Sequence, residues 1–351
     1  MPEFEPAHLR DLGRRMFEAA GAPTDIAEHV AVHLVAANLA GHDSHGVIRI
    51  PWYLGQVREG WVRPAARPRV LREAPAAALV SGEWGFGHPA AAAAMDAACD
   101  RARQAGLGAA ALVRATHIGR LGTYVEQAVD RGLVAMMWLG GLSAYRAAVP
   151  HGASRGIYGT NPMAAAFPGG EAGTLLLDFA TTSIAGGKVM VARDRGVPLP
   201  EGSVLDREGR PTTDPTAALD GGWLLPFGAH KGYALAFFAQ LFGQALTGAD
   251  ALADGDERGP FGRAGAFFLA VDPGMFRPVE DVAASAGRFA EEIRGLPPAP
   301  GFERVMAPGD PEARSRLARA AAIRLPEETW RQIAAAAEVL GVDPLVSGDR
   351  G

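Results

Sequence analysis

The chain has one cysteine in 351 residues, Cys99, so no intrachain disulfide can form and packing must hold the fold. That usage suits a reducing compartment, and a cytoplasmic location is the expectation. Neither sign of charge dominates. Lys and Arg number 34 against 39 Asp and Glu, a formal net charge of -5, so there is no general pull toward nucleic acid or an anionic membrane. Long apolar runs are also missing. The longest, such as GLVAMMWLGG, have the length of a buried strand and fall well short of the ~20 residues of a membrane span. The first residues, MPEFEPAHLRDLGRRMF, carry acids and arginines where a secretory signal needs an apolar run. Partners in nucleic acid or membrane are therefore not expected.

What remains is an ordinary globular composition: 48% hydrophobic and 21% charged residues exclude a disordered chain, and the length suits two domains or one large one. Residues 5–40 read as two helices, with Leu9, Leu12, Met16 and Phe17 at helical spacing and Thr24 or Asp25 as a cap for the second. IRIPWYLGQVREG reads as a helix with Pro51 in its first turn. Residues 75–140 alternate strand and helix, an α/β pattern, with Gly106 ending the alanine-rich helix. MAAAFP, TLLLDFA and GKVMVAR read as short strands, and DREGRPTTDPTAALDGG as a long turn-rich loop. HKGYALAFFAQLFGQAL reads as a helix buried on most sides, AGAFFLAV as a strand, and the tail as three helices.

Chemistry concentrates in a few places. After the second helix, AGHDSHGVIRI packs His42, Asp43, Ser44, His45 and Arg49 together. Helical geometry beyond Gly46 would put His45 and Arg49 on one face. An arginine fork beside an imidazole suits a substrate whose carboxylate adjoins an oxygen that gains or loses a proton. A polar helix end capped by Asp43 accounts for the same residues. His117, between a buried strand and a helix in RATHIGRLGTY, stands where α/β scaffolds expose chemistry, or is a strand-end histidine bonded to backbone. LDFATTSIAGGK offers hydroxyls and backbone N–H groups to an anion or a ribose, with Asp178 able to orient a histidine. A tight turn is the plain alternative. In GAHKGYALAFF, Lys231 opposes the dipole of the helix it opens, a cost that a bound anion would offset. In APGDPEARS, Asp310 is a helix cap with Pro311 in the first turn.

Two further patterns read as structural. GFGHPA (Gly85, Gly87, Ala90) fits G-x-G-x-x-A, but the strand before it is interrupted and Arg114 stands where an acid is expected, so it reads as a turn. His29 and His33 lie four apart without the H-E-x-x-H order or a third ligand, and read as helix-face histidines.

In order, DSHGVIRI, THIGRLGTY, YGTNPMAAAFP, LDFATTSIAGGK, GRPTTDP, LLPFGAHKGYALAFFAQLFGQALTGA and PGDPEARS resemble the malate/L-lactate dehydrogenase family of non-Rossmann NAD(P)-dependent oxidoreductases across nearly the whole chain. The resemblance implies an α/β fold: a cofactor domain on a mostly antiparallel sheet (73–275) and a helical domain built from both ends (1–72 and 276–351), in a homodimer. It implies hydride transfer between NAD or NADP and a small carboxylate substrate, a 2-hydroxy or 2-oxo acid, without a metal. By position, His45 would be the acid/base group, Arg49 the carboxylate clamp, His117 the family's other histidine and Asp178 the support of the catalytic histidine. Ala180, Thr181 and Thr182 would line the cofactor with His230 and Lys231, and Gly309 and Asp310 would close over it.

Three segments depart from the family. Gly140 and Gly141 replace a frequent Asn-Ser, VPHGAS with His151 replaces PFGG, and ATT replaces ATS. These put the substrate in question more than the hydride chemistry. Reduction of a cyclic imino acid is the alternative within the family. A metal-dependent hydrolase or lyase using His42, Asp43, His45 and His117, and a non-catalytic ligand binder, are the rivals outside it.

Overall fold

The computed structural model describes residues 1–141, 147–251 and 261–344. The chain opens with β1 (Glu3–Phe4), α1 (Pro6–Ala19), α2 (Thr24–Leu39) and α3 (Ile50–Arg58). There follow β2 (Arg69–Ala74), β3 (Ala77–Ser81), α4 (Gly87–Ala105), β4 (Leu107–Val113), α5 (Gly122–Val129), β5 (Val134–Gly140), β6 (Met163–Pro168) and β7 (Thr174–Phe179). Next come α6 (Gly186–Arg195), β8 (Val204–Leu205), β9 (Pro211–Thr212), α7 (Pro215–Leu219), β10 (Trp223–Leu224) and α8 (His230–Gln240). The chain closes with β11 (Gly265–Val271), α9 (Val279–Arg294), α10 (Asp310–Arg319), β12 (Ile323–Arg324) and α11 (Glu327–Val339).

Both chain ends build one helical region. Leu9, Leu12, Met16 and Phe17 of α1 bury against Ile26, Val30 and Leu34 of α2, and the same core takes Ile323, Leu325, Ile333 and Ala337 from the tail. β1 pairs antiparallel with β12, which ties the two ends by main-chain bonds. Within the tail, α9 instead packs on β6.

The central sheet has seven strands in the order β2-β3-β4-β11-β5-β6-β7, antiparallel at every pairing except β3–β4. Among the described residues β3–α4–β4 is thus the one parallel crossover, and the mostly antiparallel sheet follows from the rest. α4 presents Ala91, Ala94, Ala98 and Ala102 to the sheet, and these small side chains let its backbone come close. A Cβ on Gly108 of β4 would stand 1.9 Å from the Ala98 carbonyl oxygen. On another side of the sheet, α8 continues as a π-helical turn over Leu241–Leu246, where Phe242 stacks on Trp138 at 4.7 Å. Among the described residues no helix is long and apolar enough to cross a membrane.

Several local expectations need correction. GKVMVAR is helical, in α6, because Val189 and Ala192, three apart, are the positions that bury. The segment around DREGRPTTDPTAALDGG is not a plain loop: β8 pairs with β9 and β10 in a small sheet, and Asp214 caps α7 by accepting from Thr216 N–H. Neither Thr24 nor Asp25 caps α2. Pro23 holds the cap position, and Asp25 bonds Arg67 through both carboxylate oxygens. α8 is not buried on most sides: only Gly232, Ala236 and Ala239 bury, while Leu235, Phe237 and Phe238 are exposed.

Candidate active site

The dense polar knot after α2 is organised by Asn38, which is 1% exposed. Its Oδ1 accepts from Val47 N–H at 2.8 Å, and its Nδ2 donates to Asp43 Oδ1 at 2.7 Å. Arg319 of α10 donates to Asp43 and to the Asn38 carbonyl. Asp43–His45 then form one tight turn, Gly46 is extended, and Val47–Arg49 form a second turn that leads into α3. Gly46 is required because a Cβ there would lie 2.1 Å from Asn38 Oδ1. Asp43 therefore anchors the knot to Asn38 and Arg319, and its ladder leaves His45 and Arg49 side by side.

His45 is half-buried. Its Nδ1 meets Ser44 Oγ at 3.1 Å, and its ring stacks on His117 with centroids 5.7 Å apart and planes 10° from parallel. Arg49 Nε donates to the Ser44 carbonyl at 2.6 Å, and its guanidinium lies 5.1 Å over Trp52. Two contacts thus aim the fork, and neither is an ion pair. Trp52 and Phe261 also pack edgewise or tilted on His117. The His45 pKa is pushed down to about 3, first by burial, then by the nearby charges of Arg49, His42 and Arg120. His117 is held well below its ordinary value by burial, then by His45, Arg49 and His88. At neutral pH both rings are uncharged, which is the form that accepts a proton.

The GFGHPA turn contributes to this site by packing. A Cβ on Gly87 would stand 2.4 Å from the His117 carbonyl oxygen, and one on Gly119 2.6 Å from His88 Nε2. The start of α4 is thus covered by the Thr116–His117 backbone, and Thr116 Oγ1 donates to the Gly85 carbonyl at 2.9 Å. The turn reading holds, with His88 placed behind His117.

Asp178 meets other partners than a histidine. Its Oδ2 accepts from Gly122 N–H at 2.8 Å and lies 3.6 Å from Arg120 Nε. Arg120, with a side chain 2% exposed, also pairs with Glu126, which Arg316 of α10 reaches as well. Burial raises the Asp178 pKa, while Arg120 and the Gly122 N–H oppose that shift. Close by, His42 Nε2 meets Glu312 of α10 at 3.1 Å. These contacts fasten β7, α5 and α10 around the knot.

The loops expected to hold a cofactor meet each other. Phe227 N–H donates to the Thr181 carbonyl and Ser183 N–H to the Leu225 carbonyl, so the segment after β7 docks on the entry to α8. Thr181 Oγ1 donates to the Thr160 and Asn161 carbonyls and Thr182 Oγ1 to that of Ile184, so both hydroxyls hold the loop together. Ala180 is half-buried beside them, Ser183, His230 and Lys231 are exposed, and the α8 entry turns through Gly228 (φ +54°) and Ala229 (φ +53°). A left-handed alanine is strained, as is common where a loop serves a ligand. A Cβ on Gly187, in the first turn of α6, would meet Ser44 Cβ at 3.8 Å, which brings this loop against the knot. Gly309 lies on β7, where a Cβ would stand 2.5 Å from the Thr174 carbonyl oxygen. Asp310 is not the cap. Gly309 (φ +99°) holds that position, and Asp310 accepts from Ala307 N–H and Arg294.

The departures from the family pattern have physical reasons or neighbours. A Cβ on Gly140 would stand 2.5 Å from the Ala239 carbonyl oxygen, and Gly141 (φ +83°) faces the Arg263 carbonyl in the same way. Gly243 in turn lies on Gly140, so the glycines let the π-helical turn rest on the sheet backbone. His151 is exposed, with its ring centroid 6.1 Å from that of His230.

His29 and His33 stack on each other at 4.5 Å, and His33 meets the edge of His88 at 5.7 Å. Among the described residues no three His, Cys, Asp or Glu side chains come together as a metal cage. Tyr53, His88, Arg120 and Asn38 are the neighbours that sequence reasoning missed. Only Tyr53 left a signal: it follows Arg49 by four residues as Arg49 follows His45, the spacing of one helix face.

The family model for malate/L-lactate dehydrogenase matches residues 4–334. An L-lactate dehydrogenase from Cupriavidus necator is 33% identical over 95% of this chain and 96% of its own. A (2R)-3-sulfolactate dehydrogenase (NADP(+)) from Chromohalobacter salexigens is 37% identical over 88% of this chain and 90% of its own. The crystal structure of delta1-piperideine-2-carboxylate reductase from Pseudomonas syringae superposes with a TM-score of 0.84 at 33% identity, covering 96% of this chain and 100% of that one. With this sheet, this helical region and these matches, the chain belongs to the malate/L-lactate dehydrogenase family.

Proposed function

We propose that the protein is an NAD(P)-dependent oxidoreductase that moves a hydride reversibly between the nicotinamide and a small 2-hydroxy or 2-oxo acid. The observation that carries this reading is the meeting of a neutral imidazole, His45, with a guanidinium, Arg49, whose hydrogen bond among the described residues goes to a main-chain carbonyl and not to a carboxylate. Arg49 holds the substrate carboxylate through its remaining N–H groups. His45 takes the proton of the adjoining hydroxyl in oxidation and returns it to the carbonyl oxygen in reduction. His117 stands beside them, stacked on His45, and Asp178 acts through Arg120 and the start of α5.

The residues present suit a dinucleotide. His230 and Lys231 are exposed beside a strained helix entry, Ser183 is open to solvent, and Gly186 leaves space where a side chain would stand. Lys231 and His230 would meet phosphate or ribose, the Ala180–Thr182 backbone would line the ring, and Gly309 and Asp310 would border it. When bound, NAD or NADP supplies or accepts the hydride.

The match to a piperideine-2-carboxylate reductase favours a second reading, reduction of a cyclic imine that carries the same carboxylate. A homodimer is supported by the exposed Phe237, Phe238, Leu241 and Leu246 of α8 and its extension, an apolar face that a second copy would cover. A cytoplasmic location is supported by the lone, buried Cys99. The division at residues 72 and 275 is supported by the shared core of the two chain ends.

Titration with NADH and NADPH by fluorescence, followed by a spectrophotometric screen of 2-oxo acids, 2-hydroxy acids and cyclic imines, tests the function. The expected outcome is tight binding of one dinucleotide and turnover of one substrate class. Binding of neither dinucleotide would overturn the reading and leave the hydrolase and the non-catalytic binder. Turnover of imines alone would replace the first reading by the second.

A further inference from the structure

Behind the His45–His117 stack lies Tyr53, on α3 and 2% exposed. Its hydroxyl is 2.6 Å from His117 Nδ1 and 3.4 Å from His88 Nε2. A phenol has one proton to give, so the two contacts allow two arrangements. If Tyr53 donates to His88, then His88 carries its proton on Nδ1. That nitrogen is buried with no hydrogen-bond partner, which leaves a buried N–H with nothing to donate to. If Tyr53 donates to His117, then His88 carries its proton on Nε2 and gives it to the Tyr53 oxygen. The orphaned Nδ1 is then a bare lone pair, the milder defect, and the shorter contact carries the donated proton. Burial keeps the phenol proton in place by raising its pKa, and holds His88 neutral.

We propose that Tyr53 is a positioning residue: by donating to His117 Nδ1 and accepting from His88 Nε2–H, it fixes His117 as the Nε2–H tautomer, so that His117 offers the substrate oxygen a hydrogen bond and does not take its proton. The role in turnover rests on the oxidoreductase reading above. The assignment of the tautomer does not. The two histidines thereby receive different tasks. His117 donates to and orients the oxygen, and His45 carries the proton. His88 serves the same end from behind, in the space that Gly119 leaves open.

The test is nitrogen NMR of the full chain labelled with 15N-histidine, with His117 assigned by its loss in His117→Gln. The expected wild-type spectrum has a protonated Nε2 and an unprotonated, hydrogen-bonded Nδ1 on His117. In Tyr53→Phe the ring is expected to become a mixture of tautomers. The kcat should fall about 10- to 100-fold, the scale of a misplaced catalytic group, with KM for the dinucleotide unchanged. A wild-type His117 protonated on Nδ1 would overturn the proposal, and so would an unaltered tautomer in Tyr53→Phe. Should that variant fail to fold, the wild-type spectrum decides alone. Because the spectra need no substrate, absence of dehydrogenase activity would sink the functional reading and leave the tautomer assignment readable.

Discussion

The molecule contains two stacked histidine pairs, alike in stacking and burial and different in their neighbours. His29 and His33 lie one turn apart on α2 with rings 4.5 Å apart. Around them are Tyr124, the edge of His88 and a His29 Nε2 with no partner. His45 and His117 come from opposite sides of the helix–sheet boundary, 72 residues apart in sequence (117 − 45), with rings 5.7 Å apart. Around them are Ser44 and Tyr53, each within hydrogen-bonding distance of a ring nitrogen, Trp52, packed edgewise, and Arg49, bonded to the Ser44 carbonyl. Burial lowers the pKa of both pairs, His33 and His45 alike to about 3. A depressed histidine is therefore no mark of chemistry by itself. The difference lies in the company: one pair is filling on a helix face, and the other adjoins a guanidinium whose hydrogen bond among the described residues uses only its Nε–H.

The largest effect should come from His45→Ala, which is expected to cut kcat about 10²–10⁴-fold, the range for loss of a general acid or base. His33→Leu should leave kcat within about twofold, since it removes ring area and no hydrogen bond that the site uses. Steady-state kinetics with the substrate found by the screen checks both, and equal losses would erase the distinction between the pairs.

Next in size, Arg49→Ala should raise KM for the carboxylate substrate about 10- to 100-fold with a smaller change in KM for the dinucleotide. That is the scale of losing charge-assisted hydrogen bonds worth about 1.5–3 kcal/mol. An unchanged substrate KM would remove the clamp.

A last effect is one that the pairs share. His33 and His45 titrate near 6.5 when unfolded and near 3 when folded, so between those values the unfolded chain binds more protons. Stability should be fully present above about pH 6.5 and decline as the pH falls toward 3. Thermal unfolding from pH 7.5 to 5 measures the slope. His33→Leu should flatten it without touching catalysis, and a slope unchanged in that variant would break the comparison from the stability side.

The candidate pair His45 and Arg49 was legible in the sequence, and the buried contacts behind it were not. DSHGVIRI pointed to His45 and Arg49 because an acid/base group and a carboxylate fork belong at helical spacing, and that neighbourhood holds although Gly46 interrupts the helix. His117 was legible as a strand-end residue. Asn38 was not, since an asparagine near a helix end is common and its value comes from the two bonds that seat the knot. Asp178 looked like a partner for histidine, but the strand that carries it faces Arg120 and α5. Thr181 and Thr182 looked like ligand donors, but their hydroxyls close on main-chain carbonyls. Gly140 looked like a lost hydrogen bond, and is a place where backbone meets backbone.

From its residues alone the chain determined most of its helices and strands, through apolar spacing, glycine stops and proline starts, together with the candidate imidazole and guanidinium near its beginning. These are local properties, set within a few residues along the backbone. Only the tertiary structure decided which faces are covered, which hydroxyls remain free, and which histidine is tied from behind by a tyrosine. Each of those depends on atoms far apart in sequence approaching within hydrogen-bonding distance, and such approach is a property of packing.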